Sequence, residues 1–317
     1  MKKSIIMFIM VILTNLASCA TTKTNDVEKA MSNTKPQQME ENKMGTSKRI
    51  NTGNEEITIF INAGDHKIPA IVTIPKEASI NNKVPAVIML HATGADKNGA
   101  GDGFKDIAPQ FAAAGIACIR IDFMGSGEST EDYAKYSFST ALIDIDVTVD
   151  YLLSLGIIDS KRLGVLGWSQ GGTDALLAAA RNDTFISVMT WAGSINLGHL
   201  LVDDQMRVDA QKQGYAILNF SFGGSAHLGK QWIDEVDSTN VLEKVSEIKA
   251  PIYAIAGTKD TVVPPQAATD IINASKNKDS KKYIIENADH IFNLYSGDRT
   301  TYEVLCKETI NWFKKTL

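Results

Sequence analysis

Leu163-Gly164-Val165-Leu166-Gly167-Trp168-Ser169-Gln170-Gly171-Gly172 leads from a short apolar segment into a run of small residues that continues to Arg181. Residues 163–166 read as a buried strand and residues 171–181, rich in alanine, as a helix. Between them Gly167 and Gly171 stand two residues either side of Ser169, the G-x-S-x-G spacing. A nucleophilic serine has to stand clear of its strand on a sharp turn, and glycines at those two places let neighbouring backbone close in around it. The helix that starts there points unpaired N–H groups and the positive end of its dipole at the place where an oxyanion would form. Ser169 is the expected nucleophile, and the backbone N–H of Gln170 an expected oxyanion donor.

Outward from this turn the chain alternates between apolar strands and helices. Residues 84–90 and 116–121 read as strands, 104–114 as a helix ended by Gly115, and 138–155 as a helix with one apolar stripe. Further strands are expected at 185–191, 252–256 and 283–286, and helices at 265–275 and 300–315. Upstream, 57–61 and 68–74 read as two antiparallel strands joined by the turn at Ala63-Gly64-Asp65. This order predicts an α/β fold with a mostly parallel central sheet and helices on both faces. Residues 193–247 break the rhythm and are too long for a plain connection, so they are expected to form a small lid insertion.

The composition is that of a globular protein: of 317 residues, 44% are hydrophobic and 22% charged, with a formal net charge of -5. That acidic balance argues against a nucleic-acid surface. Lys2 and Lys3, followed by the apolar run 5–13, have the form of a signal segment too short to span a bilayer comfortably. Leu16-Ala17-Ser18-Cys19 resembles a bacterial lipobox, which predicts a signal peptide over 1–18, lipidation of Cys19 and anchoring in the bacterial cell envelope, on the outer-membrane or periplasmic side. Residues 19–52 lack apolar periodicity and read as a flexible tether; the folded domain is expected over 53–317. Cys118 and Cys306 lie in apolar patterns and read as two inert buried thiols; a disulfide is permitted outside the cytoplasm, but the sequence does not show that they meet.

A serine hydroxyl needs a base to take its proton. Of the five histidines, His290 follows Glu286-Asn287-Ala288-Asp289, just after the last strand and before the closing helix. Asp260, at the carboxyl end of the 252–256 strand, is the expected acid that orients the imidazole. Asp289 is a rival, though a carboxylate next to the histidine in sequence rarely reaches the ring's far nitrogen. His91 is expected to brace its loop, while His199 and His227 fall in the insertion. Residues 122–129 read as a turn-rich loop lining the site. A second oxyanion donor is expected in the loop after 84–90, with the N–H of Thr93 favoured.

The chain resembles the α/β-hydrolase superfamily, and within it the cinnamoyl/feruloyl esterase branch. The resemblance rests on Pro85 to His91, on Gly115 to Phe123 with Gly125-Ser126-Gly127-Glu128-Ser129 after it, on the serine turn, on Gly257 to Pro264 and on Ala288-Asp289-His290. The order Ser169, Asp260, His290 is that of this fold. The resemblance implies hydrolysis of a small-molecule carboxylic ester through an acyl-enzyme, without a cofactor or a metal. Two alternatives stay open: a serine peptidase, for which Asp203, Asp204 and Glu235 would be available to bind a peptide amine, and a non-catalytic ligand-binding lipoprotein.

Overall fold

The computed structural model describes residues 55–221 and 223–317. The expected signal segment 1–18, the lipidation site Cys19 and the tether to residue 52 lie outside the described residues. Eight strands make one sheet: β1 (Glu55–Asn62), β2 (Lys67–Ile74), β3 (Val84–Leu90), β4 (Ala117–Ile121), β5 (Ile158–Trp168), β6 (Ser187–Trp191), β9 (Ile252–Gly257) and β10 (Lys281–Ile285). Their spatial order is β1-β2-β4-β3-β5-β6-β9-β10. β2 runs antiparallel to both β1 and β4, and the pairings from β4 to β10 are parallel.

Side-chain alternation explains why this sheet is covered on both faces. In β3, Ala86, Ile88 and Leu90 enter one buried cluster and Val87 and Met89 the other. The whole strand is therefore apolar, as a strand buried on two sides must be. The first cluster is completed by α2 (Phe138–Ser154) and α3 (Gln170–Arg181), the second by α1 (Gly103–Ala113) and α9 (Thr300–Thr316). Each fully buried aliphatic side chain contributes about 1.5–3 kcal/mol. α2 begins with a capping box in which Ser137 and Thr140 exchange side-chain and backbone hydrogen bonds. Cys118 and Cys306 are both free and buried, and burial pushes each thiol up to about 12.

β3 lies between β4 and β5, so the winding direction of the sheet reverses at β3–β5. In open α/β sheets the crevice beyond the carboxyl ends of the strands at such a reversal is where ligands bind. Ser169 follows β5 and Thr93 follows β3, so both residues arise at this point.

Residues 193–247 carry more order than a sequence of helical fragments suggests. They form α4 (Leu197–Leu201), α5 (Asp204–Gln213), a two-stranded hairpin of β7 (Tyr215–Asn219) and β8 (Ser225–Gly229), α6 (Lys230–Ser238) and α7 (Val241–Val245). Trp232, Leu228, Ala216 and Val245 are fully buried and join the first cluster. The insertion is thus integrated into the core and is not a loose excursion. The remaining helix, α8 (Gln266–Ala274), follows β9. Among the described residues no helix is long and apolar enough to cross a membrane.

Candidate active site

The strand-to-helix turn at Ser169 is sharp. Ser169 itself has φ 53° and ψ −114°, a backbone conformation that costs a non-glycine residue about 1–3 kcal/mol. Besides the first bonds of α3, two hydrogen bonds from β6 and the segment after it hold it there: Ser169 N–H donates to the Trp191 carbonyl at 2.8 Å, and Ser194 N–H donates to the Ser169 carbonyl at 3.2 Å. The flanking glycines are explained by contact. A Cβ at Gly167 would lie 1.9 Å from the Gly171 carbonyl oxygen, and one at Gly171 would lie 2.1 Å from the Leu90 carbonyl oxygen. Neither position has room for a side chain, because α3 starts directly against the ends of β5 and β3.

The structure brings Ser169, His290 and Asp260 together. His290 Nε2 lies 3.1 Å from Ser169 Oγ, and His290 Nδ1 lies 2.8 Å from Asp260 Oδ2. Asp260 is fixed by the loop after β9: its Oδ1 accepts the N–H groups of Val262 at 2.9 Å and Val263 at 2.8 Å. Its side chain is fully buried, while that of His290 is 16% exposed. A buried carboxylate holding Nδ1–H leaves Nε2 with its lone pair toward the serine hydroxyl, the tautomer a general base requires. The rival Asp289 faces elsewhere. Its Oδ1 accepts the N–H groups of Ile291 at 3.0 Å and Asn293 at 2.8 Å, closing the turn that carries His290.

The loop after β3 meets the residue after the serine. Thr93 Oγ donates to Gln170 Oε1 at 2.8 Å. α3 makes its first turn bond from Gly172 N–H to the Ser169 carbonyl, so the N–H of Gln170 precedes the helical ladder. His91 braces this loop as expected. It is fully buried, its Nδ1–H donates to the Ala92 carbonyl at 2.8 Å, and its Nε2 accepts the Phe123 N–H at 3.2 Å. Burial lowers its pKa and keeps the ring neutral. The 122–129 loop is tied to the same segment: Asp122 accepts from Lys97 N–H and Lys97 Nζ, each at 2.6 Å, and Lys97 Nζ also meets Glu128 at 2.6 Å.

Sequence reading missed three contributors. Trp168 occupies the variable place before the serine, and its indole N–H donates to the His290 carbonyl at 3.2 Å, fastening the His290 loop to the strand that ends at Ser169. Lys97 is a nearly buried lysine whose sequence surroundings look like a surface loop. Tyr133 accepts a hydrogen bond from Gln170 Nε2 at 3.1 Å. Of the other histidines, His66 is bonded to Asp144 of α2, His199 is exposed on α4, and His227 pairs with Asp132 at 3.1 Å. The acids considered for binding a peptide amine have local work. Asp203 caps α5 through the Met206 N–H, and Glu235 accepts from both the N–H and the hydroxyl of Ser139. Asp204 is fully exposed and lies 3.9 Å from Arg207.

This arrangement of strand order, serine turn and histidine loop can be set beside known proteins. The model of the prolyl oligopeptidase family (Peptidase_S9) matches residues 103–317. The chain belongs to this family. It is 22% identical over 289 residues to an uncharacterized 31.7 kDa protein of Escherichia coli, from the traX-finO intergenic region; the match covers 80% of this chain and 99% of that protein. Over 118 residues it is 31% identical to a probable 2-oxo-3-(5-oxofuran-2-ylidene)propanoate lactonase of Bradyrhizobium sp, covering 34% of this chain and 46% of the relative. Among solved structures it is similar to Est1E from Butyrivibrio proteoclasticus with ferulic acid bound, at a TM-score of 0.69 and 20% identity, over 81% of this chain and 98% of that one. The chain therefore has the α/β-hydrolase fold, and the fold expected from the sequence is the fold observed.

Proposed function

We propose that the protein is a serine hydrolase that cleaves carboxylic esters through an acyl-enzyme. The observation that carries this reading is the continuous hydrogen-bonded series Ser169–His290–Asp260 beside a strained serine turn. Ser169 Oγ attacks the ester carbonyl while His290 Nε2 takes its proton, and the imidazolium that forms is stabilised by Asp260. The negative charge on the former carbonyl oxygen is received by the N–H groups of Gln170 and Thr93. His290 then gives its proton to the leaving alcohol, and water attacks the acyl-enzyme with the roles reversed. The lactonase relative adds support, since a lactone is a cyclic ester.

A peptidase is the second reading, favoured by the family match over residues 103–317. Against it, Asp203 and Glu235 are committed to capping and bracing helices. A panel of aryl esters, methyl hydroxycinnamates, lactones and aminoacyl amides, run with Ser169→Ala as control, separates the two. Ester turnover lost in the variant supports the proposal; turnover confined to amides replaces it with the peptidase. The lipid anchor at Cys19 and the envelope location are part of the same proposal. Metabolic labelling with a radioactive fatty acid, lost in Cys19→Ala, is the expected result.

A further inference from the structure

Gln170 is fully buried, and its side-chain amide is claimed at both ends: Oε1 accepts from the Thr93 hydroxyl at 2.8 Å and, at 3.4 Å, from the Tyr133 hydroxyl, while Nε2 donates to the Tyr133 hydroxyl oxygen at 3.1 Å. A long amide side chain has two freely rotating bonds before it reaches its head group, so burial alone does not fix it. Hydrogen bonds to both ends of the amide do. The backbone of the same residue and of Thr93 are the two segments assigned above to receive the oxyanion. Tyr133 is itself held by two neighbours. A Cβ at Gly125 would lie 2.2 Å from the Tyr133 nitrogen, so the 122–129 loop presses directly on its backbone. Its ring stacks on Tyr136 with centroids 5.3 Å apart, and the Tyr136 hydroxyl donates to Asp174 Oδ2 at 2.7 Å, inside α3.

The short turn of Tyr133–Lys135 that carries this ring is also the seat of the insertion's hairpin. A Cβ at Gly229, the last residue of β8, would lie 2.0 Å from the Ala134 carbonyl oxygen. Asp132, which caps the turn through the Ala134 N–H, pairs with His227 of β8. One short turn therefore touches the hairpin through Ala134 and the Gln170 amide through Tyr133.

We propose that Tyr133 is a positioning residue for the oxyanion site, and that the β7–β8 hairpin sets its place through the Ala134–Gly229 contact. The proposal rests on the acyl-enzyme reading above. Without the Tyr133 hydroxyl, Gln170 keeps only its bond from Thr93, and the distance between its N–H and that of Thr93 is held less tightly. Misplacement by a fraction of an ångström at such a site is costly to the chemical step and almost neutral to ground-state binding.

The test uses Tyr133→Phe, which keeps the ring and its stacking and removes only the hydroxyl. The expected result is a fall in kcat of about 10-fold or more with KM changed less than about 3-fold, and a parallel fall in the rate at which a fluorophosphonate labels the protein. Thr93→Val should do the same, Thr93→Ser should restore most of the rate, and the double variant Tyr133→Phe/Thr93→Val should lose less than the product of the two single losses. Gly229→Ala, pushing on Ala134, should reproduce the kcat loss and add little in the Tyr133→Phe background. If that variant does not fold, His227→Ala, which removes the milder tie to Asp132, takes its place and should lower kcat by a smaller factor. Unchanged kcat and labelling rate in Tyr133→Phe would overturn the positioning role. A full additive loss on combining the hairpin and Tyr133 variants would overturn the coupling. Absence of fluorophosphonate labelling in the unaltered protein would instead contradict the acyl-enzyme reading itself.

Discussion

His290 and His66 each place a ring nitrogen 2.8 Å from an aspartate, yet only one of these pairs leaves its second ring nitrogen beside a serine hydroxyl. In the first, Asp260 takes Nδ1 and leaves Nε2 facing a strained serine at the carboxyl ends of the strands. In the second, both nitrogens are taken by carboxylates: Nδ1 by Asp65 and Nε2 by Asp144, where the β1–β2 turn meets α2. Burial opposes the charge on His66, but the hydrogen bonds and charges of Asp65 and Asp144 outweigh it and raise its pKa. Burial pushes Asp144 up to about 6. The His66 cluster is a clasp between two carboxylates; the His290 pair, in the proposed mechanism, is a relay with one end open. A histidine–aspartate pair is thus no sign of catalysis until the second nitrogen has a reacting partner.

The largest effect expected from this contrast is at Ser169. Ser169→Ala should lower ester turnover by about 10⁴-fold or more without loss of folding by circular dichroism. Asp260→Asn should cost about 10²–10⁴-fold, because the amide favours the wrong imidazole tautomer, and the loss should appear in kcat measured by steady-state kinetics. Trp168→Phe keeps an aromatic ring at the site, loses part of the indole's packing and removes the bond to the His290 carbonyl; a fall in kcat of about 3–10-fold is expected.

The smallest effect on activity is expected at the other pair. His66→Gln should leave kcat/KM within about 2-fold while lowering stability by about 1–3 kcal/mol near pH 6. Because the native pKa of His66 is raised, the stability it supplies is fully present below the unfolded value of 6.5 and is lost as pH rises through the native value. Denaturant melts of the two proteins should therefore differ most at pH 6 and converge toward pH 9. An activity loss in His66→Gln as large as that in Asp260→Asn would erase the distinction between clasp and relay.

The parts of this architecture that were legible in the sequence are those fixed by local pattern. The apolar strands, the glycines around Ser169 and the positions of Asp260 and His290 after their strands follow from burial and backbone crowding acting over a few residues. What was not legible depends on distant partners. The first five residues of β5, Ile158 to Arg162, are polar in their middle, and the strand was expected to begin at 163. The β7–β8 hairpin hid because Tyr215–Asn219 is short and half-exposed, so its alternation is weak. Trp168 and His290 are 122 positions apart and Thr93 and Gln170 are 77 apart, and no periodicity records such contacts. Lys97 looks like a solvated loop lysine until Asp122 and Glu128 are folded onto it.

The central claim is that Ser169 is the nucleophile. The full-length protein, treated with a fluorophosphonate and digested with trypsin, yields a peptide of residues 163–181 that carries Ser169 and is bounded by Arg162 and Arg181. Mass spectrometry should find the phosphonyl group on that peptide, at Ser169, with ester turnover falling in step with its occupancy. Modification at another residue, or turnover that persists when Ser169 is fully modified, would contradict the account.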